Sequence, residues 1–455
     1  MARLKTAFFC TECGNETPRW QGQCPACGGW NTLAEEPNAR KPKSQRDGAP
    51  RSNGAAAPVA LGAVDAAEGV RWDTGLAEFD FVLGGGVVPG SVVLIGGEPG
   101  IGKSTLLLQV AARLDARAHA TLYVSGEESP AQVRLRADRM QDDASAVVFL
   151  GETELERVLA IAAERAPHAL FIDSIQTVYA ADLEGAPGNV TQVRECAARL
   201  QRYAKESGAA VFLVGHVTKG GSVAGPKTLE HIVDTVLYFE GAGDLDHRVL
   251  RTTKNRFGAT DEIGVFRMTA GGLEPVANPS ELFLRERSAS GSGAAIVATM
   301  EGTRPLLVEV QALCTRTSYG APQRVSTGFD RQRLALLLAV LEKRAAIPFG
   351  QLDVFLNVVG GVRIEETAAD LAVVAALASS VFDRDVPADS VFIGEVGLGG
   401  ELRGVPQAER RLAEAARMGF EKAFLPRRSI PAARVGALEA MPVEDVRAFV
   451  ERLFR

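Results

Sequence analysis

The chain has 455 residues, 46% of them hydrophobic and 23% charged, with a net charge of -6, so at roughly 100–200 residues per domain it holds several packed domains and is not disordered overall. The acidic balance excludes a globally basic nucleic-acid binder, though not a local basic surface. No run of roughly 18 apolar residues is present to span a membrane, and MARLKTAFFCTECG has no apolar signal core, so a cytoplasmic protein with no membrane partner is expected.

Four of the six cysteines open the chain as C-x2-C-x10-C-x2-C: Cys10, Cys13, Cys24 and Cys27. Two CxxC turns, each offering two thiolates, close a tetrahedral site with no open position, which predicts structural Zn2+. Gly14 and Gly28 each follow a second cysteine, where a left-handed turn residue is useful. A module this short has no core of its own, so the metal would supply its folding energy. Trp20 and Trp30 are expected to pack on the knuckles. Residues 1–58 carry eight Lys and Arg against five Asp and Glu, too small a bias to argue for DNA binding alone. Residues 36–60, rich in Pro, Ala, Gly and charge, read as a flexible linker.

From 61 to 277 short apolar runs alternate with amphipathic stretches. Strands are expected at SVVLIGG (91–97), TLYVS (121–125), ALFIDS (169–174), AVFLVGH (210–216), DTVLYFE (234–240) and HRVLRTTKN (247–255). Helices are expected in KSTLLLQVAARLDA, SPAQVRLRADRM, ELERVLAIAAERA and TQVRECAARLQRYAKES. The alternation predicts a mostly parallel sheet covered on both faces.

The first of these strands runs into Gly97, Glu98, Pro99, Gly100, Ile101, Gly102, Lys103, Ser104 and Thr105, which match G-x-x-x-x-G-K-[ST] between a strand and a helix. Backbone N–H groups there cradle phosphate. Lys103 reaches the β- and γ-phosphates of ATP, and Ser104 ligates Mg2+. Asp173, ending an apolar strand ~70 residues further on, is placed to hold Mg2+ through water. Glu127 and Glu128 follow the 121–125 strand. One of them, preferably Glu127, is expected to be the base that orients and deprotonates the attacking water; the alternative is that they sit in the first turn of the next helix. His216 ends the 210–216 strand and is a candidate γ-phosphate sensor.

VTKGGSVAGPKTLEH follows, with Lys219, Lys227 and four glycines; a basic loop of this kind can track a DNA backbone nonspecifically. Lys254 and Arg256 in KNRFG put two cations at a strand end. Cations so placed stabilise γ-phosphate charge across an interface or meet a DNA backbone, and both roles stay open.

Together these pieces resemble the RecA/DnaB superfamily of ATPases. With the knuckle and KNRFG (254–258), the whole chain resembles the bacterial RadA (Sms) DNA-repair family. The resemblance implies an α/β fold with a RecA-like core, a four-cysteine finger over 1–35, and a Lon-protease-like domain over 278–455. It further implies a DNA-stimulated ATP hydrolase, an oligomer forming a hexameric ring on single-stranded and branched DNA. Such a ring would drive branch migration in recombinational repair with a RecA-type recombinase. By position it makes Lys103 the Walker lysine, Asp173 the Walker-B aspartate and Glu127 the catalytic glutamate. His216 becomes the switch residue, and Lys254 and Arg256 belong to the signature motif at a subunit boundary.

Within the last domain, NPSELFL (278–284) reads as a boundary turn, and RQRLALLLAVLEKRA and EETAADLAVVAALASSVF as helices. GEVGLGGELRGVPQAERRL (394–412) carries the Lon likeness. A Lon-type peptidase needs a serine activated by a lysine, but the matching positions hold Ala368 and Glu409, and Thr367 has no lysine base. Proteolysis is therefore not expected. Arg304, Arg316, Arg324, Arg331 and Arg333 give a basic bias that suits either a duplex or solvent. The competing reading is an ATP-switched platform that loads partners on DNA without directional movement.

Overall fold

The computed structural model describes residues 6–10, 16–17, 19–25, 28–37, 71–216, 228–241, 247–260, 262–285, 291–317, 320–430 and 433–454. Cys13, Cys27, Lys219 and Lys227 lie outside them, as does the expected linker from residue 38 onward. The polypeptide folds into two compact units and crosses between them several times. One comprises Met1–Glu240, Leu250–Thr260 and Met268–Pro275; the other comprises Gly241–Val249, Asp261–Arg267 and Val276–Arg455.

The cysteine-rich segment is a small antiparallel sheet in which β1 (Thr6–Cys10) pairs with both β2 (Glu16–Thr17) and β3 (Leu33–Pro37). Its buried cluster is Cys10, Cys24 and Leu33, with Phe8 packed against it. So few apolar groups cannot hold a fold alone. The turn after Cys24 is a tight knuckle: Gly28, at φ +74, donates its N–H to the Cys24 carbonyl at 2.9 Å. Trp20 and Trp30 do not pack on the knuckles. They stand 56% and 72% exposed on either side of Gly22. Among the described residues the buried cluster is made by Cys10, Cys24 and Leu33, with neither indole in it.

The first unit continues with α1 (Ala77–Val82), β4 (Val92–Gly97), α2 (Lys103–Asp115), β5 (Thr121–Ser125) and α3 (Pro130–Ala137). It continues through β6 (Val148–Leu150), α4 (Leu155–Arg165), β7 (Ala169–Asp173), α5 (Val190–Ser207) and β8 (Ala210–His216). Four further strands continue the sheet, β9 (Thr235–Gly241), β10 (His247–Asn255), β11 (Ile263–Thr269) and β12 (Gly272–Pro275), of which residues 241, 247–249 and 263–267 are counted with the other unit. Among the described residues the sheet order is β12-β11-β10-β9-β4-β8-β7-β5-β6, and the six strands from β9 to β6 run parallel. Strands β4, β5 and β7 are buried along their whole length, as expected of a parallel sheet covered on both faces. On one face Val92, Leu94, Leu170 and Leu213 meet Leu155 and Val158 of α4 and Val193 and Leu200 of α5. Helix α3 starts after Ser129, whose side chain and that of Gln132 form a reciprocal capping box. Glu127 and Glu128 therefore precede the helix.

The second unit contains α6 (Pro279–Leu284), β13 (Ala294–Glu301), β14 (Arg304–Arg316), β15 (Arg324–Thr327), α7 (Arg331–Arg344), β16 (Leu352–Val358) and α8 (Asp370–Phe382). It is completed by β17 (Ser390–Phe392), β18 (Glu395–Val396), β19 (Leu402–Arg403), α9 (Ala408–Arg417), β20 (Lys422–Pro426), β21 (Arg434–Val435), β22 (Leu438–Val443) and α10 (Val446–Phe454). Its main sheet runs β15-β16-β14-β13-β17-β20-β22-β21. Helix α8 is buried from Asp370 to Ser379 and begins later than expected, after a 3-10 turn at Thr367–Ala369. NPSELFL is a helix, not a boundary turn. Asn278 accepts the Glu281 N–H and Pro279 occupies the first position, and both are also helix-start signals.

Candidate nucleotide-binding site

Four neighbouring strands, β4, β8, β7 and β5, deliver the candidate residues to one end of the parallel sheet. In the register, His216 stands opposite Gly97 and Asp173 stands opposite Ser125. The P-loop leaves β4 at Gly97, where a Cβ would lie 2.6 Å from the Phe239 carbonyl oxygen. Only glycine fits there. The loop ends at Gly102, which precedes α2 and gives it no side-chain cap. The first turn of α2, with Ser104 and Thr105, thus offers its N–H groups to an anion. Glu98, Pro99 and Gly100 are exposed and Ile101 is half-buried.

Lys103 is buried, 4% exposed, and donates to the carbonyls of Gly97 and Glu98, both at 2.9 Å. Burial lowers its pKa, opposed by the negative charges of Asp173 and Glu127. The lysine thus ties the two ends of its own loop together.

Asp173 is 5% exposed, and its Oδ2 accepts a 2.7 Å hydrogen bond from Tyr123 Oη. Tyr123 is fully buried. Burial first, and the neighbouring Asp173 second, hold its phenol well above the usual range, so it stays a donor. Glu127 accepts a 2.5 Å hydrogen bond from Ser174 Oγ and lies 3.4 Å from His216 Nε2. His216 is the largest cause holding the Glu127 carboxyl down at about 2, with help from Ser174 and Lys103 and against burial. Glu128 points elsewhere. It is paired with Arg136 of α3, and its N–H donates to Ser125 Oγ at 3.2 Å. Of the two glutamates, only Glu127 joins Lys103, Asp173 and His216.

Tyr123 and Ser174 were not among the residues expected from the sequence. Tyr123 did carry a signal: a tyrosine inside an aliphatic strand must find a partner for its hydroxyl. Ser174 carried none, because its contact with Glu127 crosses 47 residues.

Lys254 and Arg256 are not brought to this end. Asp234 exchanges hydrogen bonds with Val92 at the start of β4, with N···O distances of 2.9 and 3.0 Å, and Arg256 pairs with that same Asp234 at 3.0 Å. Gly97 is at the far end of β4, so the motif lies roughly one strand length, about 17 Å, from its own P-loop. Lys254 Nζ donates to the carbonyls of Glu230 and Val233 at 2.5 and 2.8 Å. Asn255 accepts the Phe257 N–H at 2.9 Å and donates to the Leu83 carbonyl at 3.2 Å. The Arg256 side chain remains half exposed.

In the second unit Ala368 is buried and its carbonyl accepts the Gly394 N–H at 2.8 Å. Thr367 Oγ1 donates to Glu395 at 2.8 Å, and Glu409 lies exposed on α9. Two of the five arginines are directed inward. Arg324 donates to the carbonyls of Phe349 and Leu352, and Arg333 pairs with the buried Asp370. Arg316 and Arg331 are exposed.

An AAA-domain family model matches residues 71–222, and a rubredoxin metal-binding-domain model matches residues 8–35. The DNA repair protein RadA of Bacillus subtilis strain 168 is 51% identical over 427 residues, covering 94% of this chain and 93% of that one. RadA of Pseudomonas aeruginosa is 49% identical over 454 residues, the full length of both chains. RadA of Escherichia coli K12 is 49% identical over 431 residues, 94% of each. The chain belongs to the RadA family of DNA repair proteins. It is a RecA-like ATPase with an N-terminal zinc ribbon. Lys103, Glu127, Asp173 and His216 all fall inside the AAA match of this RadA-family chain, and Lys254 and Arg256 fall outside it.

The residues present fit both cofactor classes. Cys10 and Cys24, one from each CxxC pair, are 0% and 1% exposed in one cluster, and all four cysteines fall inside the metal-binding match. Asp173 has one oxygen held by Tyr123, and among the described residues no hydrogen bond reaches its Oδ1. No helix among the described residues is long and apolar enough to cross a membrane.

Proposed function

We propose that this chain is a DNA-stimulated ATPase that translocates on single-stranded and branched DNA and promotes branch migration during recombinational repair. The observation that carries the ATPase half is the convergence of Lys103, Asp173, Glu127 and His216 on one sheet end. Membership of a family of DNA repair proteins supports the DNA half.

Lys103 releases the Gly97 and Glu98 carbonyls to bind the β- and γ-phosphates. Ser104 and Asp173 would hold Mg2+, which when bound neutralises phosphate charge. Glu127 accepts a hydrogen bond from the attacking water and aligns it. Its carboxylate, held ionised by His216 and Ser174, is available to accept the proton of that water. His216, beside both Glu127 and Gly97, would sense the γ-phosphate. Four cysteines would hold structural Zn2+. Arg256, half exposed and a strand length from its own P-loop, suits a neighbouring protomer's nucleotide better than its own. That supports a nucleotide shared between protomers of an oligomer; its reading as a hexameric ring working with a RecA-type recombinase rests on the family resemblance alone. With Ala368 and Glu409 at the peptidase positions, the second unit serves assembly.

The test is ATP turnover with and without single-stranded DNA, paired with branch migration on a three-strand substrate. DNA-stimulated turnover with processing that vanishes in Lys103→Ala is the expected result. Turnover and DNA binding without processing would replace the motor by a loading platform.

A further inference from the structure

Tyr123 is an anomaly in the site. Every other residue of TLYVS is aliphatic or small, and parallel strands of this kind are filled by such side chains. A phenol in that position must bring its hydroxyl to an acceptor or leave a buried donor unmade, which is unfavourable. The acceptor it finds is the carboxylate of Asp173, one strand over, at 2.7 Å. No other hydrogen bond reaches the Asp173 side chain among the described residues.

The ring that carries this hydroxyl cannot swing away. Tyr123 stacks on Phe171 at 6.0 Å between centroids, and Phe171 stacks on Phe212 at 4.7 Å with planes 7° apart. Phe212 in turn meets Phe79 of α1 at 6.3 Å. All four rings are fully buried. A row of packed aromatics crossing β5, β7 and β8 therefore fixes the phenol. The phenol fixes one oxygen of Asp173, and the other oxygen is left for a ligand. Interactions of this outer kind orient carboxylates that hold metals and tune their affinity.

We propose that Tyr123 is a positioning residue for Asp173, which sets the rotamer in which that carboxylate takes up the Mg2+ accompanying the nucleotide. The inference rests on the reading of Asp173 as the metal-holding carboxylate. Tyr123 touches neither nucleotide nor reacting atoms; it acts through Asp173 alone. Tyr123→Phe is the clean variant, since it removes the hydroxyl and keeps the ring, its volume and its stack.

The experiment titrates Mg2+ against the binding of a fluorescent, non-hydrolysable ATP analogue to full-length protein, in wild type, Tyr123→Phe, Asp173→Asn and the double variant. Tyr123→Phe is expected to raise the half-saturating Mg2+ concentration about tenfold, the change given by loss of a single hydrogen bond to a charged group. Affinity for the analogue without Mg2+ should stay unchanged. In the Asp173→Asn background, Tyr123→Phe should add nothing. An equal Mg2+ requirement in wild type and Tyr123→Phe, with Asp173→Asn shifted, overturns the role of Tyr123 and leaves the reading of Asp173 intact. Asp173→Asn without a shift overturns that reading, and the proposal with it. A Tyr123→Phe effect of the same size in both backgrounds makes the tyrosine merely structural.

Discussion

Arg411 of α9 and Glu366 form a two-pronged ion pair, with both N···O distances 2.6 Å and the guanidinium fully buried. Arg411 also donates to the carbonyls of Ala298 and Pro406 at 2.7 and 3.1 Å, and Glu366 accepts from Thr299 Oγ1 and the Met300 N–H, both at 2.7 Å. Every member of this buried network has partners. It joins α9 to β13 two residues from Ala368, so the region that resembles a peptidase centre is braced by charge and hydrogen bonds.

Breaking that pair from one side should be costly. Arg411→Met leaves Glu366 among buried groups with its main counter-charge gone, and loss of one partner of a buried pair costs about 3–5 kcal/mol. The double variant Glu366→Gln, Arg411→Met removes both charges and should recover part of the loss. Urea unfolding followed by a signal from the second unit measures this. A single variant as stable as wild type would show that the network contributes nothing.

Lys103→Ala should lower ATP turnover by about a hundredfold or more, the usual loss when a preorganised phosphate cation is removed. The fold should survive, because the lysine's present partners are two loop carbonyls rather than core groups. Steady-state hydrolysis and a thermal melt on the same preparation check both halves.

The P-loop was legible because its spacing and its flanking strand and helix repeat a local pattern. The pairing of β4 with β8 and β9 was not, since long-range order leaves no mark within a strand. KNRFG shows the difference. The cations at 254 and 256 were evident in the sequence, but their place at the opposite end of β4 from Gly97 depends on Asp234 bonding Val92 across 142 residues. The exposed tryptophans of the ribbon were misread for a related reason: their apolar character was visible, while which residues form the buried cluster was not.

The pH dependence of Glu127 has a defined sign. Its folded pKa, about 2, lies below the ordinary value of 4.5. Its contribution to stability is therefore present in full above pH 4.5 and is lost as pH falls through about 2. Unfolding of wild type against Glu127→Gln across that window should show the two curves converging toward acid. Turnover should show no Glu127 ionisation between about pH 4 and 7. An acid limb near 4.5 that disappears in Glu127→Gln would contradict the geometry.

Zinc should be present at one ion per chain. Cys10→Ser with Cys24→Ser, one thiolate from each knuckle, should release it, because a four-thiolate site rarely tolerates loss of half its ligands. Metal analysis under reducing conditions and the ribbon's sensitivity to protease report this. ATP turnover without DNA should be unchanged, since the P-loop, Asp173 and Glu127 take their partners from residues 97–216. A metal content of zero in wild type would remove the staple on which so small a cluster depends.

Lys254 offers the most discriminating variant. Its amine is held by the carbonyls of Glu230 and Val233, and burial, with Arg256 next, lowers its pKa. An amine bound to two carbonyls in its own protomer is a brace on the segment that leads into β9, and such a brace is poorly placed to grip a DNA phosphate. Lys254→Ala should therefore lose branch migration by about tenfold or more while DNA affinity changes by less than about threefold. Removing one true phosphate contact would instead weaken binding uniformly and lower the slope of log affinity against log salt by about one. Measuring that slope in wild type and Lys254→Ala separates the two. An unchanged slope with lost processing places Lys254 in the moving parts, and a slope lower by about one places it on the DNA backbone.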